Sequence, residues 1–168
     1  MTSIRVHIAG HDHEVPAGST SFDLLKGALK EHADIKKVVA AVWNDKAIDL
    51  SRKLPEDGSI RFLTFEDPEG KQVFWHSTSH ILAQAVKRLF PDAIPTLGPP
   101  IEEGFYYDFD NLTITEADLE RIEQEMQKIV GESFKCERHE YASKADALTH
   151  FSQNIYKTEI IEASSEAP

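Results

Sequence analysis

Apolar residues along this chain follow two periodicities, first that of a strand and later that of a helix. Ile4, Val6 and Ile8 alternate with polar neighbours, as a half-buried strand requires. Gly10, His11 and Asp12 supply turn chemistry, and His13 to Val15 is the expected return strand. Pro16, Ala17 and Gly18 break the pattern. Ser19 to Ser21 then offer hydroxyls to cap a helix carrying Phe22, Leu25, Ala28 and Leu29 on one face. Val38 to Trp43 reads as an apolar strand, Asn44 to Lys46 as its turn and Ala47 to Leu50 as the return. After a further turn at Glu56 to Gly58, Ile60, Phe62 and Thr64 alternate with Arg61, Leu63 and Phe65.

Strand, strand, helix, then several short strands is the order of a β-grasp, or ubiquitin-like, unit. It predicts an α+β fold whose first domain spans residues 1–64. Glu66 to Gly70 is charged and holds both Pro and Gly, so residues 65–70 are the expected linker. Residues 71–168 then form a second domain with a different pattern.

That second pattern is helical. At about 100° per residue, Trp75, Ile81, Leu82, Ala85, Val86 and Leu89 gather on one broad arc, with Ser77, Gln84 and Arg88 opposite. His76, His80 and Lys87 fall at the border between the two faces. A helix placed this way buries its arc and holds both imidazoles at the lip of whatever cleft lies beside it. A run rich in Pro and Gly follows, and then Gly104 to Asp110 crowds aromatic and acidic groups next to a glycine. Thr115 opens a capped helix with Leu119, Ile122, Met126 and Ile129 at helical intervals, Gly131 as its stop, and a sheet as its expected support. Ser133 to Tyr141 reads as a strand, and Ser143 as the cap of a short helix with Leu148 and Phe151 inward. From Glu162 to Pro168 the composition is that of a frayed tail.

Charge and composition narrow the function classes. A formal net charge of −11 on 168 residues argues against broad nucleic-acid binding by the chain alone, because phosphate contact is mainly a Lys/Arg effect. It leaves room for a local site in a larger assembly. No run approaches the roughly 18 apolar residues of a bilayer span, and the first residues alternate rather than form a secretory signal. The single cysteine, Cys136, allows no internal disulfide and suits a reducing compartment, so the cytoplasm is expected.

His-x-x-x-His on a helix sets two rings on one face, about 5–6 Å apart at Cβ, which suits a shared substrate or a metal. The spacing alone leaves a site and a plain surface pair equally open. The zinc-protease motif needs Glu directly after the first His, and Ser77 stands there instead. Two histidines are short of the three or four ligands of a zinc site, so no metal is expected. His11 and His13 read as solvated turn residues, and Cys136 as a buried structural thiol. Asp108 and Asp110 read as exposed edge carboxylates, while His139 and His150 stand alone.

The run HSTSHILAQAVKRLFP followed by IPTLGPPIEEGFYYDFD, with Tyr156-Lys157 near the end, resembles the editing domain of bacterial threonyl-tRNA synthetases. Residues 1–64 resemble the TGS domain, a β-grasp module, that begins the same enzymes. The resemblance implies hydrolysis of seryl-tRNA(Thr), mischarged tRNA that arises because one methyl is worth only about 1–3 kcal/mol of discrimination. It implies that His76 and His80 position the terminal ribose and the attacking water. Lys157 would stabilise charge on the ester oxygen, and Tyr107 would hold the aminoacyl end. In that family an Asp-x-Cys-x-Gly-Pro-His segment completes the editing cleft, and this chain reaches Pro168 without it. The resemblance therefore implies a truncated editing domain with weak or no activity, and no ligase activity. ATP and zinc would belong to a catalytic core outside this chain, and a homodimer is expected for the full-length enzyme. A free-standing deacylase acting in trans, and a non-catalytic module binding RNA or protein, are the other two classes.

Overall fold

The computed structural model describes residues 2–135, 137 and 139–164. The fold is α+β, and it divides into two compact units, residues 1–75 and 76–168.

In the first unit five strands form one mixed sheet. They are β1 (Ser3–Ile8), β2 (His11–Pro16), β3 (Val38–Trp43), β4 (Lys46–Ile48) and β5 (Gly58–Thr64), in the order β2-β1-β5-β3-β4. β1 and β5 run parallel, and the other neighbours are antiparallel. The alternation in β1 is real: Ile4, Val6 and Ile8 are buried and their neighbours exposed. The β1–β2 turn falls at Ala9 and Gly10, both with positive φ, so His11 and Asp12 already belong to β2. Asn44 and Asp45 repeat that geometry between β3 and β4, and short polar side chains tolerate it.

Helix α1 (Ser21–Lys26) is shorter than its apolar pattern. Thr20 caps it, with the Asp23 amide donating to the Thr20 hydroxyl oxygen at 3.1 Å, and Gly27 ends it. Leu25 and Leu29 of the predicted face are buried, as is Leu24 beside it, while Phe22 and Ala28 of that face are exposed. Leu24, Leu29 and Leu54 pack with Ile4, Val6, Ile8, Val15, Ala41, Trp43 and Ile60 as one core. Leu63 is also fully buried, out of alternation with Ile60, where a register shift between Val38 and Ala40 interrupts the β3–β5 ladder. His13 is half-buried, its ring edge-on to His32 at 5.1 Å, rather than solvated.

Helix α2 (Pro68–Leu89) begins inside the expected linker and runs across the division at Trp75 and His76. Pro68 suits a first helical position because its fixed φ is helical and it needs no hydrogen-bond partner there. Gly70 is pressed so close to Thr64 that a β-carbon would lie 1.8 Å from the Thr64 carbonyl oxygen.

The second unit is built on the C-terminal part of α2. Two short ribbons follow it: β6 (Ile94–Pro95) pairs with β9 (Phe109–Asp110), and β7 (Pro100–Ile101) with β8 (Gly104–Phe105). Helices α3 (Glu116–Glu132), α4 (Lys144–His150) and α5 (Ile155–Ala163) complete it. Ile122 and Ile129 of α3 pack with Ala85, Val86 and Ala93, so α3 covers α2 and not a sheet. Gly131 lies within α3, which ends at Ser133 in a left-handed cap. One interior glycine costs a helix only about 1 kcal/mol, too little to stop one anchored by Ile129. No strand forms among the described residues of 133–141. Cys136 and residues 165–168 of the expected tail lie outside the described residues, while Glu162 and Ala163 are helical.

Candidate functional site

The histidine pair sits where helical geometry puts it. His76 and His80 are one turn apart on α2, and their Nε2 atoms face each other at 3.1 Å. The rings meet edge to face, centroids 4.6 Å apart. At that distance one nitrogen donates and the other accepts, so the facing atoms share one proton. A second proton is disfavoured, and His80 shows this. Burial first, then the neighbouring His76 and Lys157 charges, hold its pKa below the ordinary histidine value. His80 is therefore neutral at neutral pH, with its lone pair available to an approaching hydrogen-bond donor.

Between the two histidines in sequence lies Ser79, fully buried. Its hydroxyl is 2.8 Å from the His76 carbonyl oxygen and 3.1 Å from that of Gly98, so its single proton is shared between them. This hydrogen bond ties the strap 96–98 to the helix that carries the imidazoles. The strap is in turn paired with the aromatic run. The Thr96 amide donates to the Asp108 carbonyl at 3.0 Å, and the Asp108 amide to the Leu97 carbonyl at 2.8 Å. The Tyr107 ring lies against the bare α-carbon of Gly98; a β-carbon there would sit 2.1 Å from the ring. Tyr107 also stacks on Phe109, centroids 4.9 Å apart, and burial raises its phenol pKa above the ordinary value.

Lys157 is on the first turn of α5. Asn154 caps that helix, its side-chain oxygen accepting from the Lys157 amide at 3.1 Å. The Lys157 ammonium lies 4.6 Å from the centre of the Phe151 ring. Beside it, the Tyr156 hydroxyl donates to the Asp110 carboxylate at 3.0 Å, tying α5 to β9. Asp110 is thus a tether, and Asp108 is exposed.

All four residues expected for a site therefore lie in the second unit. His76 and His80 touch, Lys157 acts on His80 through its charge, and Tyr107 is linked to α2 through Gly98 and Ser79. Ser79 and Gly98 were not expected from the sequence. Ser79 is a polar residue inside a helix, and the residue meeting it is nineteen positions away. Among the described residues no group of three or more His, Cys, Asp or Glu side chains converges as a metal site would need. A cleft of about 510 Å³ lies within the first unit, lined by His32, Lys37 and Arg61 among others. Its Arg61 is already paired with Glu69 at 3.0 Å.

No family model matches the chain. The threonine–tRNA ligase of Protochlamydia amoebophila is 49% identical over 154 residues, 89% of this chain and 23% of that protein. That of Chlamydia pneumoniae is 44% identical over 158 residues, 94% of this chain and 24% of its own length. The ligase of Caldanaerobacter subterraneus subsp. tengcongensis is 43% identical over 160 residues, again 94% and 24%. With such identity across about nine-tenths of its residues, the chain is homologous to threonine–tRNA ligases, and it spans about a quarter of the length of the curated relatives it matches.

Proposed function

We propose that this chain is the N-terminal region of a threonine–tRNA ligase and supplies its editing site, which hydrolyses seryl-tRNA(Thr). The first unit, with its β2-β1-β5-β3-β4 order and parallel central pair, is read as the β-grasp TGS domain. The second is read as most of the editing domain. The observation that carries the reading is the imidazole pair at 3.1 Å, with the His80 pKa held below the ordinary histidine value by burial first and then by His76 and Lys157.

Ester hydrolysis needs a water stripped of a proton, a stabiliser for the oxyanion, and a hold on the aminoacyl end. The imidazole pair takes the proton as the water oxygen bonds to the ester carbonyl carbon. Lys157 faces the negative charge that develops on the carbonyl oxygen. When the tetrahedral intermediate collapses, the bond to the ribose oxygen breaks, and the proton passes to that oxygen. Free serine and uncharged tRNA result. Tyr107 lies across the strap from Ser79 and helps hold the aminoacyl group.

The chain spans a quarter of its relatives, and a segment with Cys-x-Gly-Pro-His is expected to complete the cleft. The 168-residue chain is therefore expected to act slowly or not at all, and neither ATP nor zinc chemistry is assigned to it. The test is hydrolysis of purified seryl-tRNA(Thr) by two proteins. One is this chain; the other is the Chlamydia pneumoniae ligase with this chain in place of its matching stretch. Rapid hydrolysis by the chimera alone supports the reading. Equal rates would favour a free-standing deacylase, and tRNA binding without turnover by either would favour a binding module.

A further inference from the structure

We infer that Ser79 and Gly98 form a latch that fixes Tyr107 relative to the helical turn bearing the imidazole pair, making both of them positioning residues of the proposed hydrolytic site. The inference rests on the editing reading for its function and on geometry for its existence.

Ser79 is a buried polar side chain in a helix, three residues after His76 and directly before His80. A hydroxyl in that place ordinarily satisfies itself on its own helix, and Ser79 does so in part through the His76 carbonyl at 2.8 Å. It also reaches the Gly98 carbonyl at 3.1 Å, nineteen residues away. That contact fixes where the strap lies relative to the turn of helix bearing both imidazoles. Gly98 then fixes Tyr107. Its position is closed to any side chain, since a β-carbon would fall 2.1, 2.4 and 2.7 Å from Cδ2, Cε2 and Cγ of the Tyr107 ring. The flat ring rests on the bare α-carbon, with Phe109 stacked beside it at 4.9 Å. Thr96 and Leu97 hold Asp108 through the backbone, so the strap and the tyrosine run are joined directly. Three contacts in series, from the His76–His80 turn to Ser79, to Gly98, to Tyr107, thus join groups that share no secondary-structure element.

A latch of this kind makes specific demands. Ser79→Ala removes the tie and leaves the Gly98 carbonyl without that donor. Gly98→Ala keeps the tie and pushes the ring away. Both should displace Tyr107, and Gly98→Ala should do so more. A misplacement of about 1 Å can cost roughly 100-fold in rate, and the loss of one ordinary hydrogen bond about tenfold or less.

Tyrosine labelled with carbon-13 at Cζ reads the latch by NMR in the full 168-residue chain, without any activity, and Tyr107→Phe assigns the signal. In the parent chain the Tyr107 phenol should titrate above the ordinary tyrosine range, because it is buried. In Gly98→Ala the signal should shift and titrate closer to that range. Ser79→Ala should do the same to a lesser degree, and Ser79→Cys, which keeps a weak donor of similar size, should fall between Ser79→Ala and the parent. In the chimera, Gly98→Ala should lower kcat/KM for seryl-tRNA(Thr) about 100-fold. It should add little to the loss already caused by Tyr107→Ala, since the two act through one ring. An unchanged Tyr107 titration in both Ser79→Ala and Gly98→Ala overturns the latch. So does full additivity of Gly98→Ala with Tyr107→Ala. Failure of the parent chimera to hydrolyse seryl-tRNA(Thr) overturns the editing reading, and leaves the latch to be decided by NMR alone.

Discussion

At the scale of single residues, the site turns on how many protons two imidazoles can hold. His80 is pushed below the ordinary histidine value by burial first and by His76 second, with Lys157 third. Its folded pKa is therefore lower than its unfolded one. As pH falls below about 6.5, the unfolded chain takes up the proton before the folded chain does. Stability linked to His80 is thus complete above that pH and is lost as pH falls through the lowered folded value. Hydrolysis should follow the same limb, flat above neutrality and falling in acid. NMR titration of His80 should move closer to the ordinary value in His76→Ala, yet stay below it, because burial persists. An unmoved titration would mean that the two rings do not share charge. In the chimera, His76→Ala or Lys157→Ala should slow seryl-tRNA(Thr) hydrolysis roughly 100-fold. Charging of tRNA with threonine should be unchanged, since it is assigned to another part of the ligase. The i, i+4 spacing made the histidine pair legible in the sequence, because helix geometry fixes that contact locally. Tyr107 and Lys157 carried no such signal and came only from resemblance. Ser79 and Gly98 were invisible, since their meaning lies in a contact between residues distant in sequence.

Whole elements were legible where periodicity was long and self-consistent, and illegible where tertiary contacts decided. The alternation in β1 and the apolar arc of α2 each matched one periodicity over several residues, and both formed. The strand expected at 133–141 rested on composition alone, and among the described residues of that stretch none is in a strand; a strand forms only where its backbone groups meet a ladder. The stop expected at Gly131 failed because α3 is held from its flank. Arg88 of α2 donates to Glu132 at 2.7 Å and to Glu125 at 3.1 Å, one residue past and six residues before that glycine. Both carboxylates are held below the ordinary glutamate range, with the Arg88 hydrogen bond the largest cause for Glu132 and the Lys128 bond the largest for Glu125. Their folded pKa values are depressed, so the stability they contribute is present above about pH 4.5 and is lost as pH falls through the lowered values. Thermal unfolding followed between pH 6 and pH 3 should show this as a steepening loss of helix signal below about 4.5. Arg88→Gln should flatten that loss and lower the melting temperature at pH 6. If the variant has the parent's slope in acid, the α2–α3 clamp contributes nothing.

For the whole molecule, the division into two units matters more than the expected linker. Residues 65–70 read as a linker by composition, and within them Pro68 to Gly70 are helical and Gly70 is buried against Thr64. The change between units falls inside a continuous helix, which no local composition signal marks. Each unit nevertheless has its own core, one around Leu54, Val6 and Trp43, the other around Ala85, Val86, Ile122 and Ile129. Separate cores predict separate responses to damage, because domains generally unfold as units. Trp43 and Trp75, the chain's two tryptophans, both belong to residues 1–75, so their fluorescence reports the first unit. Ellipticity at 222 nm weighs α3, α4 and α5 of the second. Leu54→Ala opens a cavity at a side chain that is 1% exposed and should cost about 2–5 kcal/mol. At a urea slope of about 1–3 kcal/mol/M, its fluorescence midpoint should fall by roughly 0.7 M or more. Ile129→Ala should leave that midpoint in place and move the ellipticity transition instead. If each substitution shifts both signals equally, α2 couples the two cores into one cooperative structure, and the division describes packing without independent stability.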